Sequence, residues 1–153
     1  MKIRVRSAKE GDEKLFEKLW GEFLKEADLM IADTERNLDM FVNVFHNYVT
    51  GEIPGVCLFV AEDAVLLWGG GGIGFDLIYG NAAQGWGTYV RPARQGEGIS
   101  RALRSRAREL LVEMDFTHVL GSAKADDEKS VESCRALGMT YPRVTTVWDL
   151  KEK

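Results

Sequence analysis

Cysteine, histidine and proline are scarce in this 153-residue chain, which holds two, two and three of them. Cys57 and Cys134 form no CxxC pair, and they fall in one stretch that reads as a strand and one that reads as a helix. Neither a disulfide framework nor a thiolate metal site is expected, and a reducing, cytoplasmic setting follows. His46 and His118 lie in different elements, without convergent carboxylate or thiol spacing, so a protein-bound metal has no support. No apolar run reaches membrane-spanning length. The opening Met1-Lys2-Ile3-Arg4-Val5-Arg6 alternates charge with apolar side chains where a signal peptide needs an apolar run. Excess positive charge is missing as well. A net charge of −4 argues against nucleic acid or an anionic membrane as the main partner.

What is present, 45% hydrophobic and 29% charged residues, is the balance of an ordinary globular domain. The length suits a single domain over residues 1–153, with no repeat, linker or low-complexity tail. Alternation over residues 2–6 predicts a half-buried strand. Ser7-Ala8-Lys9-Glu10 fits a capping box, and Leu15, Phe16, Leu19, Phe23 and Leu24 follow at helical spacing. Asp33 or Thr34 caps a second helix with Leu38, Phe41, Val42, Phe45 and Tyr48 on its apolar face and Gly51 as its C-cap. Strands are expected at residues 55–61, at 64–68 as its hairpin partner, at 75–79 and at 86–90.

Four successive glycines, Gly69 to Gly72, read as a loop, or as a kink where a ligand or another backbone approaches closely. A third helix carries Ile99, Leu103, Ala107, Leu110, Leu111 and Met114 inward. A short strand at residues 116–120, a helix over 127–137 ending at Gly138, and a closing strand at 145–150 complete the chain. The order taken from this is β-α-α-β-β-β-α-β-α-β, one middle strand fewer than the stretches counted singly. It makes an α/β domain around a mixed central sheet.

The most informative stretch is Val90-Arg91-Pro92-Ala93-Arg94-Gln95-Gly96-Glu97-Gly98-Ile99-Ser100. It leaves an apolar strand and opens at once into an amphipathic helix. A helix start presents unpaired backbone N–H groups, and the helix dipole adds to them, which suits a phosphate or pyrophosphate. Gly96 and Gly98 let the backbone approach such a ligand closely. A Walker-type loop is excluded because no Gly-Lys-Ser/Thr follows. A dinucleotide fingerprint is excluded because its third glycine position is Arg101.

Gln95-Gly96-Glu97-Gly98-Ile99-Ser100 resembles motif A of the GNAT-type N-acetyltransferases, Gln/Arg-x-x-Gly-x-Gly/Ala after a Val-x-Pro strand end. Ser100 stands where that pattern has Gly or Ala. The element order resembles the same family, as does the opening Val5-Arg6-Ser7-Ala8 with Asp12. The resemblance implies a GNAT fold, acetyl-CoA or another acyl-CoA as co-substrate, and acetyl transfer to a primary amine of a small molecule or peptide by direct attack. It places the pantetheine arm along Thr88, Tyr89 and Val90. The pyrophosphate falls on Gln95, Gly96, Glu97, Gly98, Ile99 and Ser100, and one strand amide faces the thioester oxygen. Arg101, Arg104 and Arg108 on the outward face of the helix read as a solvated stripe, from which Arg101 or Arg104 could reach the 3′-phosphate.

The last helix departs from the pattern. Family members carry a tyrosine there that protonates the leaving thiolate, and Cys134 occupies its place. Tyr141 is another possible donor, and Asp127 is a helix N-cap, a CoA contact, or both. Gln84 stands where some members have a glutamate base and cannot act as one. Asp76, flanked by Phe75, Leu77 and Ile78, is the most pointed candidate base, with Glu22, Asp33 and Glu35 as further acids. Trp20, Phe23, Met30, Trp68, Phe75, Tyr79 and Trp86 are aromatic or apolar candidates for the acceptor wall, most of them expected to be packing. The missing tyrosine motivates an alternative, a non-catalytic acyl-CoA-binding or regulatory module. A homodimer is compatible with exposed sheet edges, though nothing in the chain specifies one.

Overall fold

Cys57-Leu58-Phe59-Val60-Ala61 is an unbroken apolar run, and such a run suits a strand covered on both faces. It forms β2 (Cys57–Glu62), buried at every residue but the last. In this computed structural model, which describes residues 2–26, 34–52, 56–63, 66–75, 82–121, 128–136 and 138, β2 lies inside a five-stranded sheet. The sheet order is β1 (Arg4–Ser7), β2, β3 (Leu67–Phe75), β4 (Ala82–Val90) and β5 (His118–Leu120). The three pairs from β1 to β4 are antiparallel, with Val5 opposite Ala61, Phe59 opposite Gly71 and Gly70 opposite Tyr89.

Leu58 and Val60 point to one face, where α1 (Glu13–Glu26) and α2 (Thr34–Val49) bring Phe16, Trp20, Leu24, Phe41 and Phe45. Phe59 and Ala61 point to the other, covered by Ile99, Leu103, Ala107 and Leu111 of α3 (Ile99–Glu113). Each large aliphatic or aromatic side chain so buried contributes on the order of 1.5–3 kcal/mol. Leu15, Val42 and Met114, expected inward, are 44%, 39% and 38% exposed. Trp20 completes the inward arc of α1 instead, its ring stacked 4.5 Å from that of Phe41. The elements therefore run β-α-α-β-β-β-α-β, followed by α4 (Glu128–Ala136). The expected closing strand at 145–150 lies outside the described residues.

The four-glycine run is neither loop nor kink; it is the centre of β3, which merges the end of one expected strand and the start of another. Its glycines answer a packing demand. A Cβ at Gly69 would stand 2.7 Å from the Tyr89 carbonyl oxygen, and one at Gly71 would stand 2.6 Å from that of Gly87. At Gly70 it would press on Phe16 and Leu19, both at 3.1 Å. The close approach of another backbone was legible; its occurrence within a strand was not.

The capping box at Ser7 is also corrected. Ser7 pairs with Phe59 in the sheet, and α1 starts only at Glu13. The acid that organises this corner is Asp12, the one buried charged residue among those described. Its Oδ2 accepts the Lys9 amide at 2.9 Å and Arg6 Nη1 at 2.6 Å, and Oδ1 accepts Arg6 Nη2 at 2.9 Å. Glu62 takes Arg6 Nε at 2.7 Å and Nη2 at 2.6 Å. Burial pushes the Asp12 carboxyl up, but the bonds from Arg6 and Lys9 outweigh it and the net shift is downward. The Arg6 hydrogen bond lowers Glu62.

Two carboxyls held below their unfolded values contribute stability that is complete above the ordinary range near pH 4. That contribution is lost as the pH falls through their folded values. Asp12→Ala is expected to cost about 2–3 kcal/mol in urea denaturation, because Arg6 loses its two bonds to the buried carboxylate, keeping Glu62 and the Ser7 carbonyl, and the Lys9 amide loses its acceptor. The same variant should show a shallower loss of stability toward acid pH.

By compactness the chain divides into Met1–Val119, which holds the helices α1 to α3 and β1 to β4, and Leu120–Lys153, which holds α4. Helix α4 ends as expected, with Gly138 at φ +80° and its amide on the Arg135 carbonyl at 2.8 Å. Gly51 closes α2 in the same manner, its amide bonding Tyr48 and that of Glu52 bonding Asn47, a Schellman end.

Candidate functional site

Strand β4 approaches the candidate loop through a β-bulge. Gly72 opposes Gly87 while Ile73 opposes Gly85, so Trp86 is an extra residue without a partner across the pair. Beyond the bulge the side chains alternate. Tyr89 enters the α1 face, 6% exposed, and donates its hydroxyl to Glu26 Oε1 at 2.7 Å. Val90 enters the α3 core. Both side chains are therefore committed to packing, and what these positions offer a ligand is backbone. On its other side β4 neighbours β5, three residues long against nine. Among the described residues most of that edge of β4 has no strand partner.

The loop itself starts with one turn of 3-10 helix, Pro92–Arg94. The Arg94 amide bonds the Arg91 carbonyl at 2.9 Å, and Gln95 Nε2 reaches back to the Val90 carbonyl at 2.9 Å. Arg94 Nε also donates to Glu97 Oε1 at 2.6 Å, so the Glu97 charge is compensated within the loop. Gly98 is the N-cap of α3 at φ +79°, ψ 4°, a left-handed conformation that costs a side-chain-bearing residue roughly 1–2 kcal/mol.

No side chain caps this helix, and its first turn carries no acid. The first bond into the helix is the Ala102 amide on the Gly98 carbonyl at 3.0 Å. Among the described residues, the amides of Gly96, Glu97, Gly98, Ile99 and Ser100 have no protein acceptor. A Cβ at Gly96 or Gly98 would meet nothing within 4 Å. The loop thus leaves a run of unbonded N–H groups, with open space at Gly96 and Gly98, at the positive end of a 15-residue helix, chemistry suited to an anion such as a pyrophosphate. Within it the Ile99 side chain is buried, so only its backbone is open to a ligand.

The structure brings Thr88, Tyr89, Val90, Gln95, Gly96, Glu97, Gly98, Ile99 and Ser100 into one continuous strand-end and loop. Asp76, Tyr141 and Asp127 lie outside the described residues. So do Asp33, Met30 and Tyr79, and the side chains of Glu35, Trp68, Phe75, Trp86 and Cys134. Of the further acids, Glu22 is bound by Arg91, through Nε at 2.6 Å and Nη2 at 3.0 Å. Gln84 Nε2 donates to the Gly85 carbonyl at 3.2 Å. Trp20 belongs to the core, and Phe23 lies between Trp20 and Tyr89, with ring centres at 4.9 and 5.8 Å.

Sequence reasoning missed the two ties between α1 and the strand end, Tyr89 to Glu26 and Arg91 to Glu22. Arg91 further donates Nη1 to the Leu67 carbonyl at 2.6 Å. The partners stand 63 and 69 residues apart, so no local spacing announces them. The only cue was that Arg91 sits between Val90 and Pro92, where a solvated residue would serve as well.

Neither a protein-family model nor a curated protein sequence matches the chain. Solved structures do resemble it. The structure of AAC(6')-Iy with a CoA-containing bisubstrate analogue superposes with a TM-score of 0.77 at 12% identity, over 99% of both chains. A predicted acetyltransferase from Clostridium acetobutylicum, solved with acetyl-CoA, gives 0.78 at 16% identity over 99% of both. The aminoglycoside acetyltransferase meta-AAC0020 from an uncultured soil metagenomic sample, solved with sisomicin, gives 0.70 at 18% identity over 97% of both. Bulge, loop and helix thus sit in an architecture shared along the whole length: the chain has the fold of the GNAT-type N-acetyltransferases.

Proposed function

We propose that the protein is an acetyl-CoA-dependent N-acetyltransferase acting on a primary amine. The observation that carries this reading is the open loop from Gly96 to Ser100, whose amides have no acceptor among the described residues, on an uncapped helix start. The fold supports it, since similar structures were solved with CoA or acetyl-CoA. When bound, acetyl-CoA supplies an acetyl group activated as a thioester.

The chain's own residues divide the remaining tasks among them. The amides of Gly96, Gly98 and Ser100 hold the pyrophosphate, and the backbone groups of Thr88 to Val90 that are not engaged with β3 hold the pantetheine arm along the β4 edge. Amides beside the Trp86 bulge donate to the oxygen on which charge develops. Asp76 is the proposed acceptor of the amine proton. Tyr141 is the proposed donor to the leaving thiolate, and Asp127 a further cofactor contact.

For the acceptor, a small molecule bearing several amines is favoured. The chain carries a net charge of −4, and two of the similar structures hold an aminoglycoside or its analogue. The test is release of free thiol from acetyl-CoA in the presence of sisomicin, neamine, spermidine and a lysine-containing peptide. Amine-dependent release is expected with at least one small polyamine and not with the peptide. Tight acetyl-CoA binding without release on any of them would instead identify a non-catalytic acyl-CoA-binding module.

A further inference from the structure

Tyr89 and Arg91 flank Val90, and α1 holds both. Tyr89 donates to Glu26, and Arg91 grips Glu22 with two nitrogens. Glu22 and Glu26 are one helical turn apart, so the end of α1 clasps the end of β4 at two points. Between these points the Val90 carbonyl receives the Gln95 side chain, the brace of the phosphate loop. Two carboxylates at i and i+4 near a helix C-terminus repel each other and oppose the dipole. The helix alone does not favour that pair; the strand-end partners offset it. Tyr89 is buried, and burial with Glu26 beside it pushes the phenol far above its ordinary value, so it remains a donor at any physiological pH.

We propose that Tyr89, held by Glu26, is a positioning residue: through α1 it sets the lie of the Thr88 to Val90 backbone and thereby the affinity for acetyl-CoA. The inference rests on the cofactor reading above. Its consequence is that α1, on the face of the sheet away from the α3 core, and the cofactor strand act as one body in binding.

The test is calorimetric titration with acetyl-CoA, beside thermal melts, of wild type, Tyr89→Phe, Glu26→Gln and Glu26→Ala. Tyr89→Phe removes only the hydroxyl, and Glu26→Gln keeps an oxygen that accepts it. Tyr89→Phe and Glu26→Ala are expected to weaken binding about tenfold while Glu26→Gln stays within about twofold of wild type. A purely structural tie would lower melting temperatures and leave the dissociation constants unchanged, which overturns the proposal. Equal weakening in Glu26→Gln and Glu26→Ala overturns it too, because charge rather than the held phenol would then matter. A wild type that does not bind removes the cofactor reading and this inference together, whereas a binding wild type with unchanged variants removes this inference alone.

Discussion

Gly98→Val is expected to lower acetyl-CoA affinity by about 100-fold or more, since at least two charge-assisted amide bonds are lost. Two effects act together. The residue holds φ +79° as the helix N-cap, where a β-branched side chain tilts the amides that follow it. A Cβ there would meet nothing within 4 Å, so the added methyl groups project into the space that the proposed pyrophosphate would occupy. Strain alone is separated by a control. Gly11 has φ +91° and equally open surroundings, remote from the loop in the turn before α1. Gly11→Val should lose comparable stability in a melt and bind acetyl-CoA as wild type does. Titration calorimetry of the two variants reads the difference. Equal binding by wild type and Gly98→Val would mean the loop is a plain turn.

Gly71→Val is the largest expected effect on stability, and local propensity predicts its sign wrongly. Valine is favoured over glycine in a strand by up to about 1 kcal/mol, so an exposed site would gain. Here the new Cβ would lie 2.6 Å from the Gly87 carbonyl oxygen and 2.8 Å from Phe59 Cε2. The first contact is backbone of the paired strand and cannot swing aside. Separating β3 from β4 there also disturbs the bulge that positions the loop. A loss of about 3 kcal/mol or more is expected, which for a domain of this size lowers the melting temperature by roughly 6–12 °C. Scanning calorimetry checks it. Gly51→Val, at φ +77° with nothing within 4 Å, carries only the strain of its turn and should fall by less.

The contrast between Gly71 and Gly98 shows what the sequence made legible. Gly98 was readable because a glycine just ahead of an amphipathic helix has a local meaning, and its left-handed φ bears that out. Gly71 was not, since four glycines in a row break a strand by every local rule and only the packing of two helices and a neighbouring backbone reverses that. The same division runs through the rest. Gly51 and Gly138 end helices as their local pattern implies. Ser7 mimics a capping box but is claimed by Phe59 across the sheet, and Leu15 lost its expected place in the core to Trp20. The motif Gln95 to Ser100 located the loop without showing that Gln95 braces it through Val90 or that Glu97 is neutralised by Arg94. Ties such as Glu22 to Arg91 join distant segments and exist only once the fold brings them together.

The central claim is that the amides from Gly96 to Ser100 are a pyrophosphate cradle, and a crystal structure of the protein grown with CoA tests it most directly. The account predicts pyrophosphate oxygens about 3 Å from the Gly96, Gly98 and Ser100 amides, with the pantetheine arm along Thr88 to Val90. CoA seated elsewhere on the chain, or none at saturating concentration, would contradict it.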